Sequence, residues 1–136
     1  MIAIPKRLLR ELQNLDVKNY KFESNTTHIV LYIKQFKFII LEDYPFKPPR
    51  VYINEENIRN KLCDATKILE VRECLCCNSI LCPNNWSPTK HICDIMTEYN
   101  NIYEQIKNRF YLKILKFRNL RDWNLEDVYE IILDFL

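Results

Sequence analysis

The chain has 136 residues, six cysteines and no glycine, and its 20 basic and 18 acidic side chains leave a formal net charge of +2. That length suits one domain with a real core, and an apolar share of 48% fits a globular chain rather than a disordered one. Near-balanced charge leaves no footprint for nucleic acid or an anionic membrane, missing glycine removes the phosphate-cradling loops of P-loop and Rossmann sites, and no apolar run approaches the ~20 residues of a membrane span.

The opening residues Met1-Ile2-Ala3-Ile4-Pro5-Lys6-Arg7 put charges where a secretory signal has its apolar stretch. The protein is therefore expected inside the cell, cytoplasmic or nuclear, with its thiols mostly reduced. Ile4, Leu8, Leu12 and Leu15 recur at helical spacing, which predicts an amphipathic helix over 4–15 with Lys6, Arg7, Arg10 and Glu11 on the other side. Residues 18–53 read as a meander. Strands are expected at 20–23, 28–33, 36–41 and 50–53, with turns at 24–27 and near 34–35. Proline fixes its own φ and disfavours helix in the residue before it, so Tyr44-Pro45-Phe46-Lys47-Pro48-Pro49 is a stiff extended segment. Residues 54–73 are polar and mixed, and read as loop with room for a short helix near 55–62.

Ser87 and Pro88 look like the cap and first helical position of a long helix carrying Ile92, Ile95, Tyr99, Ile102 and Ile106 on one stripe. Residues 110–120 are open between helix and strand. A last helix is expected after Asn124, with Asp127 completing a capping box, Trp123 and Val128 forming a hydrophobic staple, and Leu125, Val128, Ile132 and Phe135 on its buried side. The fold class is α+β: an N-terminal helix, an antiparallel meander of about four strands, a cysteine-rich loop, and two or more C-terminal helices. A single domain is expected over 1–136, with a core at 3–106 and a helical extension at 107–136.

Cys74-Leu75-Cys76-Cys77 contains a C-x-x-C pair, Cys74 and Cys77. Structural zinc takes four thiolate or imidazole donors in a tetrahedron, often in closely spaced pairs. Cys82, Cys93, Cys63 and His91 are the candidates to complete such a set, with Cys74, Cys77, Cys82 and Cys93 as the first choice. The plain alternative is buried thiols, since free cysteine is among the most buried residue types. His28 reads as structural and Trp86 as a packing anchor.

Tyr44-Pro45-Phe46-Lys47-Pro48-Pro49-Arg50-Val51, Cys77-Asn78-Ser79-Ile80-Leu81 and Trp86-Ser87-Pro88-Thr89 together resemble the ubiquitin-conjugating enzyme family. The resemblance spans roughly residues 3–106 and implies a UBC-like fold. It implies that Cys77 carries ubiquitin as a thioester and passes it to lysine, with no cofactor required. The partners it implies are ubiquitin, an activating enzyme and a ubiquitin ligase. On the same ground Phe46, Lys47, Pro88 and Thr89 lie where the family meets ligases, and Lys6, Arg7 and Arg10 where it meets the activating enzyme. The richness in Ile, Asn and Lys is similar to that of divergent members encoded by large DNA viruses, which adds host cell or virion as expected locations.

The sequence also departs from the family. His-Pro-Asn, whose asparagine serves the family as oxyanion donor, is missing from the stretch Ile68-Leu69-Glu70-Val71-Arg72-Glu73-Cys74-Leu75-Cys76. Losing one such donor costs about 100- to 1000-fold in rate. Asn78, Asn84 and Asn85 are the candidate substitutes. The other reading is therefore a catalytically inactive interaction or structural protein on the same fold. In that reading its partners are other proteins, and its cysteines form a zinc-binding or structural loop.

Overall fold

A computed structural model describes residues 4–15 and 19–117. The chain falls into two compact units, Met1–Glu98 and Tyr99–Leu136. The architecture is α+β, with an N-terminal helix, five antiparallel strands and helices after them.

Helix α1 (Lys6–Gln13) follows Pro5, which holds the N-cap position at φ −57°. Leu8 and Leu12, one turn apart, are buried as the spacing predicts. Glu11 is not on a solvated side as expected: it is buried with them at 7% exposure.

Strands β1 (Tyr20–Ser24), β2 (His28–Ile33), β3 (Phe36–Leu41), β4 (Arg50–Ile53) and β5 (Glu56–Asn57) pair in sequence order, every neighbour antiparallel. Register follows the period-two alternation of apolar residues. Ile33 faces Phe36, Leu31 faces Phe38 and Ile29 faces Ile40, all fully buried or nearly so. Val51 and Ile53 continue the same face opposite Phe38 and Phe36. A slip of one residue would turn this whole set away from the core. On the opposite face Lys37 lies between Tyr32 and Tyr52, its Nζ 6.0 and 5.9 Å from the two ring centroids.

Two expectations for residues 54–73 are corrected. Chain reversal at Asn54-Glu55, with φ of 49° and 69°, creates the two-residue β5 and raises the strand count from about four to five. Two successive positive φ values are the mark of a type I′ hairpin turn, which favours Asn-Gly. The segment read as loop is then mostly the twelve-residue helix α2 (Ile58–Leu69). Asn57 caps it, its Oδ1 accepting the Arg59 N–H at 2.9 Å. Ile58, Leu62 and Ala65 form its buried stripe. The helix ends on Glu70 at φ 55°, the left-handed position that glycine usually takes. Substituting Glu55→Gly should relieve one such backbone cost. The expected gain is about 0.5–1 kcal/mol, read as a higher urea midpoint with unchanged m-value. A destabilised variant would contradict the turn assignment.

The cysteine segment holds a short helix, α3 (Leu75–Asn78). Helix α4 (Ile92–Phe117) begins later than expected. Pro88 and Thr89 sit in a turn, and Ser87 does not cap. Instead the Asp94 carboxylate accepts the His91 N–H at 2.8 Å, closing the helix start from inside its first turn. Ile92, Ile95, Tyr99 and Ile106 are buried, as their stripe predicts, and Ile102 is half-buried. Residues 110–117 continue as helix. The expected last helix around Asn124 lies outside the described residues. Among those described, no helix is long and apolar enough to cross a membrane.

Candidate functional site

Three cysteine sulfurs gather between α2 and α3. Cys63 sits on α2, Cys74 at the N-cap of α3 and Cys76 within it. Their Sγ atoms all lie within 4.8 Å of one another, close enough to hold a metal ion. Cys63 is 3.9 Å from Cys74 and 3.6 Å from Cys76. Cys77 adds a fourth sulfur at the edge, 3.9 Å from Cys76.

Thr66 fixes the hinge between the two helices. Its hydroxyl donates to the Leu62 carbonyl one turn back at 2.8 Å and accepts the Leu75 N–H at 2.9 Å. It also lies 3.8 Å from the Cys74 sulfur. The far side of the loop is tied down by Glu98, which accepts the Ser79 hydroxyl at 2.7 Å and the Ile80 N–H at 3.1 Å. Both anchors act on the backbone flanking the sulfurs, so the cluster sits on fixed elements.

Crowding the sulfurs splits their acidities. The Cys76 thiol and amide, followed by Thr66 and Cys63, stabilise the Cys74 thiolate and bring its pKa down to about 6. Cys63 is pushed up to about 11, first by its hydrogen bond to Cys76, then by desolvation and by Cys74. Cys77 is also raised, with Cys76 the main cause. The sulfur expected to be the nucleophile thus holds its proton more firmly than a free cysteine, the reverse of an activated thiol.

Cys77 is exposed and lines a cavity of about 210 Å³ with Cys76, Cys82, Arg59 and Ser79. Two of the three candidate oxyanion donors are engaged elsewhere. Asn78 donates to Glu73 at 2.9 Å. The Asn85 amide donates to the carbonyls of Cys77 and Ser79 at 2.9 and 3.1 Å. Asn84 is exposed in the following turn. Of the ligand set chosen by spacing, only Cys74 is in the three-sulfur group. Cys82 shares the cavity wall. Cys93 is on the first turn of α4 beside Arg7 and Arg10, around a separate cavity, and its thiol is raised by desolvation and by Asp94 and Glu11. Cys76 was missed because C-x-x-C spacing selects its neighbours.

A second feature joins two loops distant in sequence. Trp86 Nε1 donates to the Pro45 carbonyl at 2.8 Å, and its ring lies 6.3 Å from Tyr44, so Trp86 is the anchor it was read as. The Tyr44–Pro45 peptide is cis. Phe46 is left 75% exposed, and Lys47, Pro88 and Thr89 are exposed too. Lys47 pairs with Asp43 at 3.5 Å. On α1, Lys6 and Arg10 are exposed, whereas Arg7 is half-buried and donates to the Lys90 carbonyl at 2.9 Å. His28 is paired with Asn25 and Thr27 in the β1–β2 turn, the structural role expected of it. No family model matches the chain, and neither a curated protein nor a solved structure does.

Proposed function

We propose that this chain is a divergent, UBC-like protein of the ubiquitin-conjugation pathway that binds ubiquitin ligases without carrying ubiquitin, with zinc holding its cysteine segment. The observation that carries the reading is the Trp86–Pro45 bond. It sets the Phe46-Lys47 loop beside the turn holding Pro88 and Thr89, the four residues that the resemblance assigns to ligase contact. An aromatic ring 75% in solvent, fixed on a braced loop, has the form of an interface anchor. Loss of catalysis is supported by the stretch where the family carries His-Pro-Asn. Here it is α2 and Cys74-Leu75-Cys76, and the Asn78 and Asn85 amides are spent on Glu73 and on backbone carbonyls.

Titration of the protein into a RING-type ligase domain, followed by calorimetry, tests the docking surface. Phe46→Ala should weaken binding about tenfold or more while leaving folding stability within about 0.5 kcal/mol. Equal affinity of variant and wild type would remove Phe46 from the interface, and absence of binding would remove the docking role.

A second reading, a thioester carrier on Cys77, is favoured by one observation: the thiol is exposed at an open cavity, where an incoming acyl group has access.

A further inference from the structure

We infer that Cys63, Cys74, Cys76 and Cys77 form a four-thiolate zinc centre that fastens α3 to α2, with Cys77 as the fourth ligand. This assignment rests on the zinc part of the reading above and not on the docking surface. Zinc–sulfur bonds of about 2.3 Å put the corners of a tetrahedron about 3.8 Å apart. The three sulfur separations of 3.9, 3.6 and 3.9 Å along Cys74–Cys63–Cys76–Cys77 match that edge. Three corners are already mutually close. Cys77 stands outside that mutual group but lies 3.9 Å from Cys76, with an exposed side chain on the same short helix α3.

The surroundings fit a metal-bound tetrathiolate. The Thr66 hydroxyl lies 3.8 Å from the Cys74 sulfur, a polar neighbour for that thiolate. Arg59 on the cavity wall offsets the net negative charge that four thiolates leave on a divalent ion. Coordination by four thiolates closes the site, as in structural zinc rather than catalytic zinc. Bound this way, the Cys77 sulfur shares its charge with the metal and is a weaker nucleophile toward an acyl group than a free thiolate.

The test uses the full chain, reduced and stripped of metal, then titrated with zinc and separately with cobalt. Zinc should bind one ion per chain. The cobalt adduct should show the thiolate charge-transfer and tetrahedral d–d absorbance of four sulfurs, a count that needs no variant. Cys63→Ser, Cys74→Ser, Cys76→Ser and Cys77→Ser should each weaken zinc by more than about 100-fold, beyond the loss typical of an outer-shell change. Cys82→Ser and Cys93→Ser should leave it within about twofold. A three-sulfur cobalt spectrum, with Cys77→Ser binding zinc as well as wild type does, would overturn the assignment and leave a zinc-held loop standing. Failure of the chain to bind zinc at all would overturn both.

Discussion

Replacing Glu11 with alanine is expected to cost about 3–5 kcal/mol of folding stability, the range seen when one partner of a buried charged network is removed. Glu11 is 7% exposed, and both carboxylate oxygens are occupied. Oε2 accepts the Tyr44 hydroxyl, and Oε1 accepts the Ile92 N–H at 2.7 Å. Arg7 Nε lies 3.7 Å from Oε2. One side chain therefore joins α1, the loop after β3 and the start of α4. A carboxylate at that helix start also meets the positive end of the helix dipole. Alanine would strand the Tyr44 hydroxyl and the Ile92 amide without a partner and leave Arg7 without its counter-ion. Burial, with Glu11 next in effect, already lifts the Tyr44 phenol above the ordinary tyrosine range, so ionisation of Tyr44 offers no relief. Glu11→Gln keeps the shape but brings a donor against donors, and should fall between alanine and wild type. Urea denaturation followed by circular dichroism reads both. A loss below about 1 kcal/mol for Glu11→Ala would mean that the hub is not formed in solution.

The second large effect is that of zinc. A ligand that binds only the folded chain stabilises it by about 4 kcal/mol when its free concentration is 1000 times its dissociation constant. For a unit of this size each kcal/mol moves Tm by about 4–8 °C. Removing zinc with a chelator from reduced protein should therefore lower Tm by roughly 15–30 °C, and zinc returned in excess should restore it. The same treatment of Cys76→Ser should change Tm by no more than about 2 °C, because the sulfur central to the cluster is gone. An equal chelator effect in both proteins would place the stabilising metal elsewhere.

The parts of this fold that were legible were those where side-chain period and burial agree. Alternation in His28–Ile33 and Phe36–Leu41 gave the strands their limits because each inward residue, from Ile29 to Ile40, is buried. Helix α2 was hidden for two reasons. Arg59, Asn60, Lys61, Asp64 and Lys67 dilute its stripe, and the usual glycine stop is replaced by Glu70. In a chain without glycine the left-handed positions fall to other residues, and Lys34, Asn54, Glu55 and Glu70 all take positive φ. Missing α2 also left Cys63, a candidate ligand, without a reason to rank above Cys82 and Cys93. Read as helix, Cys63 and Thr66 are three apart and share a face directed at the next segment. Glu11 was misplaced because a carboxylate among Lys6, Arg7 and Arg10 looks solvated, and only the packing of Tyr44 and Ile92 against it shows otherwise.

As a ligand of the proposed metal cluster, the Cys77 sulfur takes no part in acyl transfer. Incubation of the zinc-loaded protein with ubiquitin-activating enzyme, ATP and ubiquitin, read on a non-reducing gel beside an active conjugating enzyme, tests it most directly. The prediction is a band for the control and none for this chain. A ubiquitin-sized adduct that reductant removes, and that Cys77→Ser abolishes while Cys82→Ser does not, would contradict it and restore Cys77 as a carrier.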